Sequence, residues 1–397
     1  MNEMRETGAE PQDDRARIAV VAHKVGDGGG TDRVHAELIR RLLDRYRFTV
    51  VTSCLAEDLQ EKVDWRPVRV PSKPMPLRFL AFFGLGAIRL RRADVDLVHV
   101  CGALVPNRAD VSTVHMCHAG FAAANGRLAS QGSSYPRRLN TLLKRRLAIG
   151  AERWSYRPGR LRLLAPVSHQ VADELGAAYP GVVIHETPNG VDLDRFCPDN
   201  SARAAVRAEL GTNEEATVVL FVGGDWDLKG LALAIDALAI ARSSVGQLEL
   251  WVLGAGDEGR FSSRAATAGV ADAVRFIGRR LDTERYYQAS DVYLCCSTYE
   301  AFSLALLEAA ASGLPIVTTR VGGTAELLGG TGDPAGILVG RQPGEMADAL
   351  AVLATDTERR TCYGKAARQR AEQFGWDHLA ERVDGIYQRL LEGTALR

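Results

Sequence analysis

Short runs of consecutive apolar residues recur along this 397-residue chain, each followed by a polar or glycine-bearing stretch and then an amphipathic segment. In the first half, residues 17–22, 48–53, 66–70, 97–101, 111–116 and 161–167 read as buried strands, with a helix over 33–44 between the first two. In the second half, strands at 217–222, 248–253, 274–277, 292–296, 316–319 and 336–339 alternate with helices at 229–242, 258–268, 284–289 and 303–312. Continuous apolar strands alternating with helices are the pattern of parallel sheets covered on both faces. The length exceeds what one core usually serves. The expected architecture is therefore α/β, with two Rossmann-like, doubly wound parallel-sheet domains hinged near 188–198. The expected divisions are a loose polar tail over 1–16, a first domain over 17–190, a second over 191–375 and a final helical segment over 376–397.

Each half repeats one device, a glycine-bearing loop between its first strand and the helix that follows. The loops are Gly26-Asp-Gly-Gly-Gly30 and Gly223-Gly-Asp-Trp-Asp-Leu-Lys-Gly230. Glycine lets backbone N–H groups approach an anion, and a helix N-terminus adds positive potential. Ligands of open α/β sheets sit beyond the carboxyl ends of the strands, so both loops are expected to face one cleft between the domains. Neither loop is a Gly-x-Gly-x-x-Gly or a Walker sequence, and by itself each carries little.

The most informative stretch is Glu300-Ala-Phe-Ser-Leu-Ala-Leu-Leu-Glu308, followed by Ala-Ala-Ala-Ser-Gly-Leu-Pro-Ile-Val-Thr-Thr. Two carboxylates eight positions apart across the start of a helix are separated by a little over two turns, so both can face one ligand. Two solvated glutamates on an amphipathic helix would share that spacing. The segment resembles the Glu-x7-Glu motif of the retaining glycosyltransferases of family 4. Upstream, Ser290-Asp-Val-Tyr-Leu-Cys-Cys-Ser-Thr298 fits the strand that delivers the first Glu, and downstream Val321-Gly-Gly-Thr-Ala-Glu326 fits a Gly-Gly-x-x-Glu loop. The resemblance covers about residues 17 to 390 and is far more specific in the second half.

It implies a GT-B fold and an enzyme that moves a sugar from a UDP- or GDP-linked donor to an acceptor hydroxyl. Glu308 is then expected to bind the ribose hydroxyls and Glu300 those of the transferred sugar, since carboxylate oxygens accept strong hydrogen bonds. Lys229, one of only six lysines against 43 arginines, matches the lysine that holds the donor diphosphate. Gly224 stands where the family carries an arginine, which removes one guanidinium from the phosphates. The amides of Phe302, Ser303 and Leu304, where Ala-Phe-Ser replaces Gly-Phe-Gly, are candidates to share that task, as is Arg279 or Arg280. Gly29 and Gly30 match the loop that approaches the sugar diphosphate, with Asp32 in place of a Glu. His118 is the first choice for the family's histidine near the transferred sugar, and His115 the second. Gly254 and Ile277 lie in loops expected to contact the base. The last helix, about 376–391, is expected to pack back on the first domain.

The implied mechanism is retaining transfer in which the donor phosphate assists deprotonation of the acceptor, with no protein base, cofactor or metal. Cys101, Cys117 and His118 lack any paired metal-ligand spacing. A sugar-nucleotide epimerase or hydrolase of the same architecture, and a noncatalytic nucleotide-sugar or polyanion binder, are the alternatives.

Composition narrows the setting. Lysine plus arginine equals aspartate plus glutamate at 49 each, yet residues 66–170 hold 18 basic against 4 acidic side chains, roughly +14. The segment 137–146 sets Leu139, Leu142 and Leu143 under a basic face, either a solvated helix or, across the basic 137–162 region, a surface for anionic lipid. No nucleic-acid partner is expected. The run 79–88 is about half the length of a membrane span and reads as a buried or interfacial helix. Seven irregularly spaced cysteines make no disulfide framework. A cytoplasmic location is expected, with peripheral attachment at the inner membrane face as the companion expectation.

Overall fold

The computed structural model describes residues 14–125, 135–329 and 332–394. Of these, residues up to Ser112, from 135 to Arg162 and from Asp384 onward belong to a first compact unit, and the remainder to a second.

A seven-stranded sheet contains β1 (Arg17–Val21), β2 (Arg47–Thr52), β3 (Asp64–Pro67), β4 (Leu97–Cys101), β5 (Ala109–Val114), β6 (Leu161–Pro166) and β7 (Val183–Ile184), in the order β3-β2-β1-β4-β5-β6-β7. Strand β1 pairs in parallel with β2 and β4, so Val20 lies between Val50 and His99. Its helices are α1 (Gly30–Leu42), α2 (Met75–Arg91), α3 (His118–Asn125), α4 (Tyr135–Ser155) and α5 (His169–Ala178).

A six-stranded sheet contains β8 (Thr217–Val222), β9 (Leu248–Leu253), β10 (Val274–Gly278), β11 (Val292–Cys295), β12 (Ile316–Thr318) and β13 (Gly336–Leu338), in the order β10-β9-β8-β11-β12-β13. Around it run α6 (Arg203–Leu210), α7 (Trp226–Lys229), α8 (Leu231–Val245), α9 (Glu258–Thr267), α10 (Thr283–Ala289), α11 (Leu304–Ala311), α12 (Thr324–Leu328), α13 (Pro343–Thr355), α14 (Thr357–Ala371) and α15 (Trp376–Leu391). Alternate strand residues feed two cores. Val218, Leu220, Tyr293 and Cys295 pack with Leu306, Leu307 and Ala367, whereas Val219, Phe221, Leu294 and Cys296 pack with Ile235, Leu238, Met346 and Leu350. The adjacent cysteines thus serve opposite faces, as strand pleating requires.

The bounds of several elements differ from expectation, the fifth strand being 109–114 rather than 111–116 and the first helix 30–42 rather than 33–44. The third strand is 64–67 rather than 66–70, because the edge pairing with Thr49–Thr52 closes at Pro67. The two-residue β7, too short for an apolar run to reveal it, adds an edge beside β6. The helix expected over 229–242 is two helices broken at Gly230. One buried ion pair braces the six-stranded sheet: the Arg207 guanidinium meets Asp291 at 2.6 Å and also donates to the carbonyls of Asn213, Ala216 and Ala289. The Asp291 carboxylate in turn accepts from the Val218 amide at 2.8 Å. In α15, residues from Asp384 pack in the first unit, where Asp384 accepts from the Tyr46 hydroxyl at 2.6 Å and the Tyr387 hydroxyl lies 2.5 Å from His99 Nδ1.

Candidate active site

The six-stranded order reverses between β8 and β11, and a crevice opens beyond the carboxyl ends of strands at such a switch point. The two loops leaving those strands carry the expected residues. After β8, Asp225 caps α7 by accepting the Leu228 amide at 3.1 Å. Gly230 then takes a left-handed φ of +79°, and a Cβ there would sit 2.4 Å from the Cys296 carbonyl oxygen, so only glycine lets the two loops meet. The Thr298 amide donates to the Leu228 carbonyl at 3.0 Å, completing the junction. Lys229 therefore ends α7 instead of starting a helix, and its Nζ lies 2.6 Å from Glu300 Oε1, with the two side chains 20% and 15% exposed. The same carboxylate oxygen accepts from Ser297 Oγ at 2.7 Å.

Glu300 lies outside the helix, four residues before α11 begins at Leu304. The glycine pair of the 321–326 loop cradles this turn. The Gly322 amide donates to the Glu300 carbonyl at 3.0 Å, and a Cβ on Gly322 would fall 1.9 Å from the Ala301 carbonyl oxygen. Phe302 is buried, and its carbonyl accepts from Asn189 Nδ2 at 3.3 Å. Ser303 precedes α11 with extended backbone and makes no side-chain cap. Glu308, inside α11, accepts from the hydroxyl of the buried Tyr287 at 2.9 Å.

The other expected residues have varied settings. Gly224 has open space where a Cβ would point and no positive φ. Gly254, at φ +133°, packs its loop on Gly223, whose carbonyl oxygen a Cβ would approach to 2.0 Å. Ile277 lies at an irregularity between β10 and β9 and packs against the core. Arg279 is exposed and makes no ion pair among the described residues, whereas Arg280 turns toward Glu209 at 3.7 Å. His115 follows β5, and His118 opens α3; both are half-buried. Gly29 caps α1 with extended backbone and Gly30 is its first residue, both in the first unit.

Residues 216–356 match the glycosyl transferases group 1 model and residues 28–195 the Glycosyltransferase Family 4 model. The chain belongs to glycosyltransferase family 4. A D-inositol 3-phosphate glycosyltransferase 2 from Catenulispora acidiphila is 33% identical over 246 residues, which are 58% of this chain and 56% of that one. A D-inositol 3-phosphate glycosyltransferase from Kineococcus radiotolerans is 36% identical over 248 residues, 57% of this chain and 56% of that one. The chain thus spans about half the length of these curated relatives. Among solved structures, WaaG, a glycosyltransferase involved in lipopolysaccharide biosynthesis, aligns with a TM-score of 0.77 at 23% identity, covering 93% of this chain and 99% of that one. Anabaena HepE in complex with UDP and glucose aligns with a TM-score of 0.69 at 18% identity, covering 94% and 100%. The architecture is GT-B.

Four residues around the family 4 motif were not singled out from the sequence: Ser297, Tyr287, Asn189 and Arg341. Ser297 holds Glu300, Tyr287 holds Glu308 and Asn189 holds the Phe302 carbonyl. Arg341, on the loop after β13, donates to the Cys296 carbonyl at 2.6 Å, the oxygen that Gly230 also approaches. Ser297 lies within the segment 290–298 and Asn189 within the hinge expected near 188–198. Tyr287 is 21 residues before its partner and Arg341 45 residues after, with no pattern linking either to it. A further cluster adjoins the motif. The Tyr299 hydroxyl donates to Glu174 of α5 at 3.0 Å, and Gly120 of α3 lies close enough that a Cβ would reach 2.6 Å from the Glu174 Cβ. Burial raises the Glu174 carboxyl above its usual range, partly offset by hydrogen bonds from Gln170 and Tyr299.

Proposed function

We propose that this chain is a retaining glycosyltransferase that moves a sugar from a nucleoside diphosphate donor to an acceptor hydroxyl. The observation that carries the reading is the meeting of Lys229 and Glu300 at the switch point, 2.6 Å apart, with Glu308 held by Tyr287 on the helix that follows. In this reading the Lys229 ammonium turns from Glu300 to the donor diphosphate, helped by the amides at the start of α11. The freed Glu300 carboxylate then accepts from hydroxyls of the transferred sugar, and Glu308 from those of the ribose.

The acceptor oxygen attacks the anomeric carbon on the face the diphosphate leaves. The bond from that carbon to the phosphate oxygen breaks, and the acceptor proton passes to the departing diphosphate. No protein base is needed. His118, and His115 after it, is assigned to the neighbourhood of the sugar. No metal enters the scheme.

UDP is named with HepE and an inositol phosphate with the curated relatives, so these are the first donor nucleotide and acceptor to test. Purified protein is incubated with UDP- and GDP-sugars, with and without acceptor, in EDTA. Acceptor-dependent product with the donor's anomeric configuration, followed by NMR, supports the proposal. Donor turnover independent of any acceptor overturns it in favour of an epimerase or hydrolase, and rescue of an EDTA-silenced reaction by magnesium overturns metal independence.

A further inference from the structure

In the first unit, residues 65–93 carry seven lysines or arginines and no carboxylate. Helix α2 lies within them. Its Phe82, Gly86, Ala87 and Leu90 are buried, but Leu77, Leu80, Leu85 and Ile88 are 52%, 51%, 45% and 47% exposed. At 100° per residue these four leave the helix within an arc of about 140°, a continuous apolar stripe. Arg89, Arg91 and Arg92, all exposed, stand at its C-terminal end. Helix α4 packs beside α2 and exposes Leu139 and Leu143, one turn apart. The single carboxylate of α4, Glu152, is buried. Singly exposed aliphatic side chains are ordinary on a protein surface, but five leucines and an isoleucine on two adjoining helices, with no exposed acid on either helix, are not.

We propose that this face, centred on α2, seats on an anionic lipid bilayer. No described helix is long and apolar enough to cross a membrane, so α2 would lie in the interface plane with its leucines among the acyl chains and its arginines at the headgroups. A second copy of the same face suits the surface less well, because self-association would bring the arginine clusters of both copies together. The sequence pattern had pointed to the basic 137–162 region; the exposed side chains put α2 at the centre and α4 at its flank. The inference does not depend on the glycosyl-transfer reading.

The test is sedimentation of the full chain with vesicles of phosphatidylcholine, or of phosphatidylcholine and phosphatidylglycerol in equal parts. Binding is expected only to the mixed vesicles and should weaken as salt rises. Replacing all three of Arg89, Arg91 and Arg92 with Gln should cost about a hundredfold in affinity, each basic residue near an anionic surface contributing about fivefold. The double substitution Leu80→Glu with Ile88→Glu should abolish binding while leaving the melting temperature unchanged. Leu80→Trp supplies an independent reading on folded protein, its emission shifting to the blue on the mixed vesicles. No binding by the folded wild type, or equal binding by the charge-altered variants, overturns the proposal. A wild-type dimer that Leu80→Glu with Ile88→Glu dissociates, without vesicle binding by either, assigns the face to a second copy instead.

Discussion

The resemblance to family 4 leads one to expect a second cation five residues before Lys229, and here that position is Gly224. Charge-assisted hydrogen bonds are worth about 1.5–3 kcal/mol, so Lys229→Ala should weaken nucleoside diphosphate binding by roughly ten- to a hundredfold. Removing it also leaves Glu300 without its 2.6 Å partner, which argues for Lys229→Gln as a companion. The open space at Gly224 admits a longer side chain, so Gly224→Arg should return part of the affinity lost in Lys229→Ala. Calorimetry on both single variants and the double decides it, and full donor affinity in Lys229→Ala would sink the phosphate role. Tyr287→Phe removes only the hydroxyl that reaches Glu308, so donor affinity should fall a few-fold with little change in folding. An unchanged dissociation constant in that variant would leave Tyr287 as a core residue and nothing more.

At the level of elements, α3, α5 and the turn before Glu300 are tied together through Glu174. Its raised pKa means that the native state keeps a proton the unfolded chain releases, so this group costs stability as pH rises through the raised value. Glu174→Gln keeps an oxygen for the Tyr299 hydroxyl and should raise the melting temperature at pH 7 more than at pH 4. Equal shifts at both pH values would show that the carboxyl is solvated in solution. Helix α1 and the loop after β1 carry the opposite case. Burial pushes the His35 imidazole down from 6.5 to about 4, and burial with nearby Arg78 and Lys144 does the same for His23. Between those values the unfolded chain binds protons that the native state refuses, so stability is complete above pH 6.5 and is lost as pH falls toward 4. For His35 the loss is about 3 kcal/mol. Amide exchange in α1, corrected for the intrinsic rate, should show faster opening at pH 5 than at pH 7, and less so in His35→Gln. A pH-independent opening free energy would contradict the burial of that ring.

Across the whole molecule, the switch-point residues belong to the second unit, together with 113–125 and 163–190, which lie far earlier in the chain. Adding UDP to the full chain should therefore protect amides at 223–231 and 297–308 from exchange while leaving β2 and β3 unchanged. Protection confined to the first unit would displace the donor site from β8 and β11.

Much of this was legible in the residues because the signals were local. Strands β8 and β9 fall where the apolar pattern puts them, since a strand buried on both faces must be apolar throughout. The Glu300–Glu308 segment was legible because its spacing, its small residues and its Gly-Leu-Pro stop all lie within one short stretch. Lys229 stood out by rarity. The break at Gly230 was not legible, because its cause is the Cys296 carbonyl some 66 positions away, an approach that no helix propensity encodes. The partners of Glu300 and Glu308 divide in the same way. Ser297 is three residues from its carboxylate and Tyr287 is on a different helix from Glu308, brought there by the packing of α10 on α11. The apolar run near 79–88 could be read as buried or interfacial, and only the packing of α2 decided that Leu80, Leu85 and Ile88 face outward. The sequence by itself determined the alternation of strand and helix, the parallel α/β class and the family motif, because apolar period, turn chemistry and residue spacing act within a few residues of one another. Only the tertiary structure decided which loops meet, which carboxylates are held and which apolar face is left uncovered, because those depend on contacts between residues that the chain itself keeps far apart.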